Sequence, residues 1–96
     1  MLDFQWDSGN IGHIIHQYPN RANTIDEVES VFIDPNLIVN PNQMDAFGEQ
    51  RFEAVGLSNQ GRVLAIIFAY RKDQIRPISC WPANRSTRKR YYENIG

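Results

Sequence analysis

Side chains that can transfer protons or bind phosphate lie in two parts of the chain. His13 and His16 stand three residues apart near the amino terminus, and an unperturbed imidazole changes its charge near neutral pH. The second part is rich in arginine and tyrosine: Arg62, Arg76, Arg85, Arg88, Tyr91 and Tyr92. Arginine suits phosphate because its planar guanidinium donates hydrogen bonds in pairs and stays charged. Together these residue types suit proton transfer at a bound phosphate.

Arg76 is the strongest single candidate for phosphate binding. It lies within the predicted strand Gln74 to Cys80, which is otherwise largely apolar, and burying a guanidinium there without a partner would be costly. Two explanations are open at this point. Arg76 binds a phosphate, or it forms an ion pair with an acid such as Glu53 on a neighbouring strand.

The two histidines also have two explanations. Each can be a titrating base, or a cation that complements the carboxyl-terminal end of the first predicted helix. A metal site is disfavoured because no third ligand is evident beside His13 and His16. Cys80 is the only cysteine, so neither an intrachain disulfide nor a cysteine-based zinc site can form.

The amino-terminal part of the chain predicts a short edge strand followed by two helices. Phe4 to Trp6 alternates apolar and polar residues, as an edge strand does. A first helix is expected to begin after Asp7 or Ser8, either of which can serve as its N-cap. Thr24 is expected to cap a second helix, with Glu27 completing the capping-box pattern.

The carboxyl-terminal part predicts strands joined by short connections, followed by one helix after Pro82. The predicted strands are Leu37 to Val39, Arg51 to Leu57, Val63 to Arg71 and Gln74 to Cys80. Residues 40–50 are polar and without clear periodicity, so we expect a mobile loop there. The third strand is apolar on both faces, which is typical of a central strand covered on each side.

This order of elements indicates one α+β domain over residues 1–96. Segregated helices and strands favour a small, mainly antiparallel sheet, with two N-terminal helices and one C-terminal helix packed on one face of the sheet. The length of 96 residues and an apolar content of 42% fit a folded protein of that size.

Charge is distributed unevenly along the chain, although the net charge is only −1. Acidic residues outnumber basic ones by nine to two from Met1 to Leu57, and basic residues outnumber acidic ones by eight to two from Ser58 to Gly96. The basic half can present a surface to a polyanion, or only a solvated helix face. The amino terminus lacks a signal-peptide pattern and no apolar run is long enough for a membrane span, so we expect a cytoplasmic protein without membrane contact.

Segments throughout the chain resemble one known family when their order and spacing are taken together. They are Phe4 to Asn10, Asp26 to Phe32 with Asp34-Pro35, Arg51 to Gly56, Gly61 to Leu64, Ile75 to Ser79, Pro82 to Arg85, and Arg90 to Tyr92. In this series the chain resembles the BrnT toxins of type II toxin–antitoxin systems.

The resemblance implies a RelE-like fold and a ribonuclease that inhibits translation. It also implies an RNA substrate, a BrnA-like ribbon-helix-helix antitoxin as partner, contact with operator DNA only through that antitoxin, and no cofactor. Family members commonly carry a histidine followed by glycine at the end of the first helix, and His16 is the nearest residue here. Cys80-Trp81 and Thr87 also depart from the residues usual in the family.

Metal-independent RNA cleavage needs a base for the 2′-hydroxyl, cations for the transition-state charge and an acid for the leaving oxygen. For catalysis we therefore expect four residues: His16, Arg76, Arg62 and Tyr91. For RNA binding we expect four others: Arg85, Arg88, Lys89 and His13. The basic last helix could instead be only solvated, or receive an acidic antitoxin segment. A further alternative is a catalytically degenerate relative that binds the antitoxin or RNA without cleaving it.

Overall fold

The computed structural model describes residues 2–95, in which helices precede and follow a four-stranded sheet. In chain order the elements are α1 (Ser8–Ile11), a π-helical turn (Gly12–His16), a 3-10 turn (Pro19–Arg21), α2 (Ile25–Val31), β1 (Ile38–Met44), β2 (Gln50–Leu57), β3 (Val63–Arg71), β4 (Gln74–Pro82) and α3 (Arg85–Ile95). The predicted α+β class is confirmed. Within the described residues, no helix has the length and apolar character needed to cross a membrane.

The sheet is antiparallel throughout and its spatial order, β1-β2-β3-β4, follows the chain. Short hairpin connections therefore join every pair of neighbouring strands. Lys72 and Asp73, with φ of 50° and 66°, form the turn between β3 and β4. β3 is an interior strand with buried residues on both faces, as its apolar pattern predicts.

The two faces of the sheet carry two separate apolar clusters. On one face, the even-numbered residues of β2 and β3, such as Ala54 and Leu64, pack against Ile14 and α2. On the other face, Val55 and Val63 pack against Tyr91 of α3. The expectation that all helices lie on one face is therefore wrong. Because both faces of β3 are apolar, a helix is needed on each, and α3 covers the second one.

Two predictions for the amino-terminal part need correction. Phe4 to Trp6 forms no regular strand; a single parallel bridge joins Phe4 to Ile75 of β4. The capping box lies at α1, where Asp7 accepts hydrogen bonds from the start of the helix and Asn10 accepts one from the Asp7 amide. At α2, Thr24 caps the helix as predicted, but the Glu27 carboxylate bonds to other residues and does not complete a capping box.

The prediction of a mobile loop over residues 40–50 is wrong for most of that segment. β1 continues to Met44, and Asn40 and Pro41 pair with β2. Nearly every residue of β1 is exposed on this edge strand. Since neither face is buried there, the sequence shows no alternation between apolar and polar residues, which is the signal on which strand prediction depends.

An ion pair between the buried Glu27 and the partly exposed Arg62 joins α2 to the turn between β2 and β3. The Glu27 carboxylate is 4% exposed and accepts hydrogen bonds from Arg62 Nε at 2.8 Å and Nη2 at 2.6 Å. It also accepts one from the Ser58 hydroxyl at 2.7 Å. Arg62 further donates to the carbonyl of Arg21 at 2.7 Å. The hydrogen bonds from Arg62 lower the pKa of Glu27, although burial opposes that shift.

Replacement of Arg62 by alanine should therefore destabilise the fold. Glu27 would stay buried without its cation, and breaking a buried pair in this way costs roughly 3 kcal/mol. The free energy of unfolding from urea denaturation measures this loss. Arg90→Ala, which removes an exposed arginine from α3, is the matched control and should change the value by no more than about 0.5 kcal/mol. Equal stability of the two variants would contradict the assignment.

The same pair predicts how stability depends on pH. Because the folded-state pKa of Glu27 lies below its usual value of 4.5, the unfolded state binds the proton first as the pH falls. The stabilisation is complete above pH 4.5 and is lost as the pH falls through the folded-state pKa. Glu27→Gln should thus be less stable than the native protein at pH 7, and the gap should shrink below pH 4.5. A gap that is independent of pH would contradict this.

Candidate functional site

A pocket of about 400 Å³ lies where α1 and the π-helical turn meet the end of the sheet that α3 leaves uncovered. We call it the arginine pocket. Its lining consists of Gly9, Asn10, His13, Arg51, Arg71, Arg76, Ile78 and Ser79. Cations from the sheet thus face a histidine from the helical side.

The hairpin connections bring the arginines together. Arg51 lies at the start of β2, Arg71 ends β3, and Arg76 lies near the start of β4. In an antiparallel sheet with this order, these strand ends share one edge of the molecule. Ala69, which pairs with Arg76 across β3 and β4, is fully buried and small.

Arg76 is held by a carboxylate from the cap of α1. Its Nη1 donates to Asp7 Oδ2 at 2.8 Å and its Nη2 donates to Asp7 Oδ1 at 3.1 Å. These hydrogen bonds lower the pKa of Asp7. An ion pair for Arg76 is thus present, but the partner suggested from sequence, Glu53, is wrong. The amino-terminal segment bridges to β4 and supplies the acid instead.

Arg71 and Arg51 differ in how fully their donors are used. Arg71 donates to both oxygens of Glu49, at 2.9 and 3.0 Å, and this bonding lowers the pKa of Glu49. In the part of the chain that the structure describes, the only acidic group near the Arg51 guanidinium is Asp45, at a longer distance of 3.7 Å. The Nε of Arg51 is buried and has no hydrogen-bond partner among residues 2–95. Arg51 is therefore the arginine of the pocket whose side-chain donors are least engaged by acceptors of the protein.

His13 is oriented by partners at both ring nitrogens. Its Nδ1 lies 2.8 Å from Gln17 Oε1, and its Nε2 lies 3.2 Å from the Ser79 hydroxyl. Because an amide oxygen can only accept, Nδ1 carries the proton, and in the neutral ring Nε2 keeps a lone pair. That lone pair faces the hydroxyl of Ser79, which also lines the pocket, so Nε2 can accept a hydrogen bond from a hydroxyl group at this position.

The π-helical turn gives His13 this direction. The backbone amide of Gln17 donates to the backbone carbonyl of Gly12 at 2.8 Å, which is the hydrogen bond of a widened helical turn. Such turns are rare and occur frequently at functional sites. Ile14, in the same turn, is 1% exposed and anchors it in the core.

The structure brings together only two of the residues selected from sequence, His13 and Arg76. His16 is exposed in the π-helical turn and does not line the pocket. Arg62 is engaged by Glu27, as described above. Tyr91 lies on the inner side of α3 and is 1% exposed. Its hydroxyl donates to Asp34, and burial together with that carboxylate raises the pKa of Tyr91 to about 12. These placements do not support catalytic roles for His16, Arg62 or Tyr91.

The basic stripe of α3 is also separate from the pocket. Arg85, Arg88 and Lys89 are exposed on the helix and none lines the pocket. Within residues 2–95, no cluster of three or more His, Cys, Asp or Glu side chains is placed to hold a metal ion. The buried Cys80 thiol has its pKa raised to about 12 by burial, so it is no nucleophile at neutral pH.

Arg51, Arg71 and Ser79 are pocket residues that the sequence reasoning missed. A signal for the two arginines was present. Each stands at the end of a predicted strand, and short hairpins place the start of β2, the end of β3 and the start of β4 side by side. Nothing in the sequence comparably identified Ser79, because its role depends on the distant His13.

Comparison with known proteins agrees with the resemblance. The family model described as the ribonuclease toxin BrnT of type II toxin–antitoxin systems matches residues 6–87. This range contains every residue that lines the arginine pocket. No curated protein matches the chain. Because the match covers most of the sequence, the chain belongs to the BrnT family of type II ribonuclease toxins.

Proposed function

We propose that this protein cleaves RNA in the arginine pocket and thereby inhibits translation. One observation carries the proposal: His13 and arginines from three neighbouring strands line the same cavity. Phosphate-ester cleavage needs a proton acceptor beside fixed cations. Membership of the ribonuclease toxin family supports RNA as the substrate.

In the proposed reaction His13 Nε2 removes the proton from a ribose 2′-hydroxyl. The 2′-oxygen attacks the adjacent phosphorus, and the bond to the 5′-oxygen breaks. The products are a 2′,3′-cyclic phosphate and a 5′-oxygen that takes a proton from solvent. Ser79, which contacts Nε2 in the free protein at 3.2 Å, occupies the place that the 2′-hydroxyl would take.

The arginines supply the positive charge for the transition state in this proposal. Arg51 binds the phosphate most directly because its donors are the least engaged. Arg76 and Arg71 are fixed by Asp7 and Glu49, so their guanidinium groups need little rearrangement when negative charge develops. We propose that these guanidinium groups make the cleavage independent of a metal ion.

Residues outside the arginine pocket have supporting roles. Arg85, Arg88 and Lys89 are exposed on α3 and would attract the RNA backbone without sequence preference, an effect that weakens with salt. Removal of these cations would then affect RNA binding at low salt more than the chemical step.

We further propose that a BrnA-like ribbon-helix-helix antitoxin neutralises the protein in the cytoplasm. Membership of a toxin–antitoxin family supports the existence of an antitoxin. The toxin would then reach operator DNA only through that partner. Co-purification with the product of a neighbouring gene tests this. A complex without RNA cleavage by the free protein would instead favour a degenerate relative that acts only by binding.

Replacement of Arg51 by alanine should reduce the rate of RNA cleavage by roughly 10²- to 10³-fold, the usual effect of removing one transition-state donor. Single-turnover cleavage of a labelled RNA oligonucleotide measures this rate. Arg51→Lys should retain an intermediate rate, because lysine keeps the charge but loses the paired donors.

Arg90→Ala is again the matched control and should cleave at the native rate. Induction of Arg51→Ala or Arg76→Ala in bacteria should also relieve the growth arrest expected of the native protein. Native cleavage by Arg51→Ala would refute the proposed phosphate site.

The two histidines provide a second matched pair. His13→Gln should lower kcat by roughly 10²- to 10⁴-fold, because a positioned base is lost. His16→Gln, three residues away and outside the pocket, should leave kcat unchanged. A lower kcat of His16→Gln together with an unchanged kcat of His13→Gln would assign the catalytic role to His16. Native kcat values for both variants would exclude a histidine base.

A further inference from the structure

Phe47 is the most exposed large apolar side chain of the described residues, with 95% of its surface accessible. It stands at the tip of the hairpin between β1 and β2 and packs in neither apolar cluster. Both faces of its ring are therefore open. The side chain therefore contributes no buried apolar area to the stability of the fold.

The turn that carries Phe47 is ordered by its own hydrogen bonds. Asp45 Oδ1 accepts from the amides of Phe47 and Glu49, each at 2.9 Å. The Asp45 amide donates to the carbonyl of Glu49 at 3.0 Å, and the Gly48 amide donates to the carbonyl of Asp45 at 3.1 Å. Gly48 has φ of +83°, which favours glycine. The backbone thus presents the ring in a defined place without help from the core.

The same turn is attached to the arginine pocket at both of its ends. Asp45, before Phe47, lies 3.7 Å from Arg51. Glu49, after Phe47, accepts two hydrogen bonds from Arg71. The turn that carries Phe47 is therefore joined by side-chain contacts to two of the arginines that line the pocket.

We propose that Phe47 stacks on a base of single-stranded RNA whose neighbouring phosphate lies in the arginine pocket. The inference rests on the proposed function and identifies the substrate class more closely. Single-stranded RNA alternates charged phosphates with flat bases, and proteins bind it through cationic grooves and open aromatic rings. Here Arg51 and Arg71 supply the positive charge, and Phe47 supplies the open aromatic ring.

A stacking role places Phe47 in substrate binding and outside the chemical step. Its removal should raise KM while kcat stays nearly unchanged, since no reacting atom touches the ring. Stacking accepts any base face, so the contact favours unpaired RNA over a duplex whose bases are already stacked.

The experiment compares Phe47→Ala with Phe47→Trp. The first should weaken binding of a 2′-O-methyl RNA oligonucleotide by roughly 5- to 150-fold, which is the range for loss of one stacked base. The second should bind as the native protein does. Fluorescence anisotropy measures the affinity, and the modified RNA has no free 2′-hydroxyl, so the result does not depend on cleavage. Ile33→Ala, at an exposed site of 75% accessibility, is the matched control and should not alter the affinity.

The outcomes separate this inference from the proposed function. RNA affinity that depends on Phe47 in a protein that cleaves no RNA would support stacking and refute the nuclease activity. Native affinity of Phe47→Ala would overturn the stacking role. Unchanged RNA affinity with weaker antitoxin binding would also overturn it, and would assign Phe47 to a protein interface.

Discussion

The ion pair between Asp7 and Arg76 is the interaction on which the arrangement of the site depends. Asp7 both caps α1 and accepts two hydrogen bonds from Arg76 of β4. A single carboxylate thus fixes where the first helix begins, where it lies beside the sheet edge and how one guanidinium points. Gly9 allows this closeness, because a Cβ there would lie 3.2 Å from Asp7 Oδ1. Helix position and cation position are consequently set together.

The sequence predicted most of the sheet because burial leaves a pattern. β3 has buried residues on both faces and was identified with its bounds. β1 was underestimated, since exposure of its residues removes the alternation that reveals a strand. The position of α3 on the second face could not be read from periodicity. That pattern says that both faces of β3 must be covered, but it does not say which element covers each one.

The site was less predictable than the fold because its residues meet through long-range contacts. Arg62 and Arg76 look alike in sequence as single arginines in or beside apolar strands, yet only the structure separates them. Arg62 is surrounded by carbonyls and by Glu27, whereas Arg76 lines a cavity. Likewise, His13 and His16 share a helical segment, and the contact with Ser79 distinguishes them. Charge and residue type identify candidates; the partners determine their roles.

The π-helical turn makes the site sensitive to the length of the chain. A π turn contains one residue more than the corresponding α-helical turn, so Gly12–His16 is equivalent to a helix with a one-residue insertion. Deletion of one residue there would restore regular helical bonding of about 3.6 residues per turn and leave the two sides of the turn facing much as before. Asp7 could then still face Arg76, but His13 would lose the widened turn that places it beside Ser79. A deletion that helix geometry tolerates would thus displace the proposed proton acceptor and leave the cations in place.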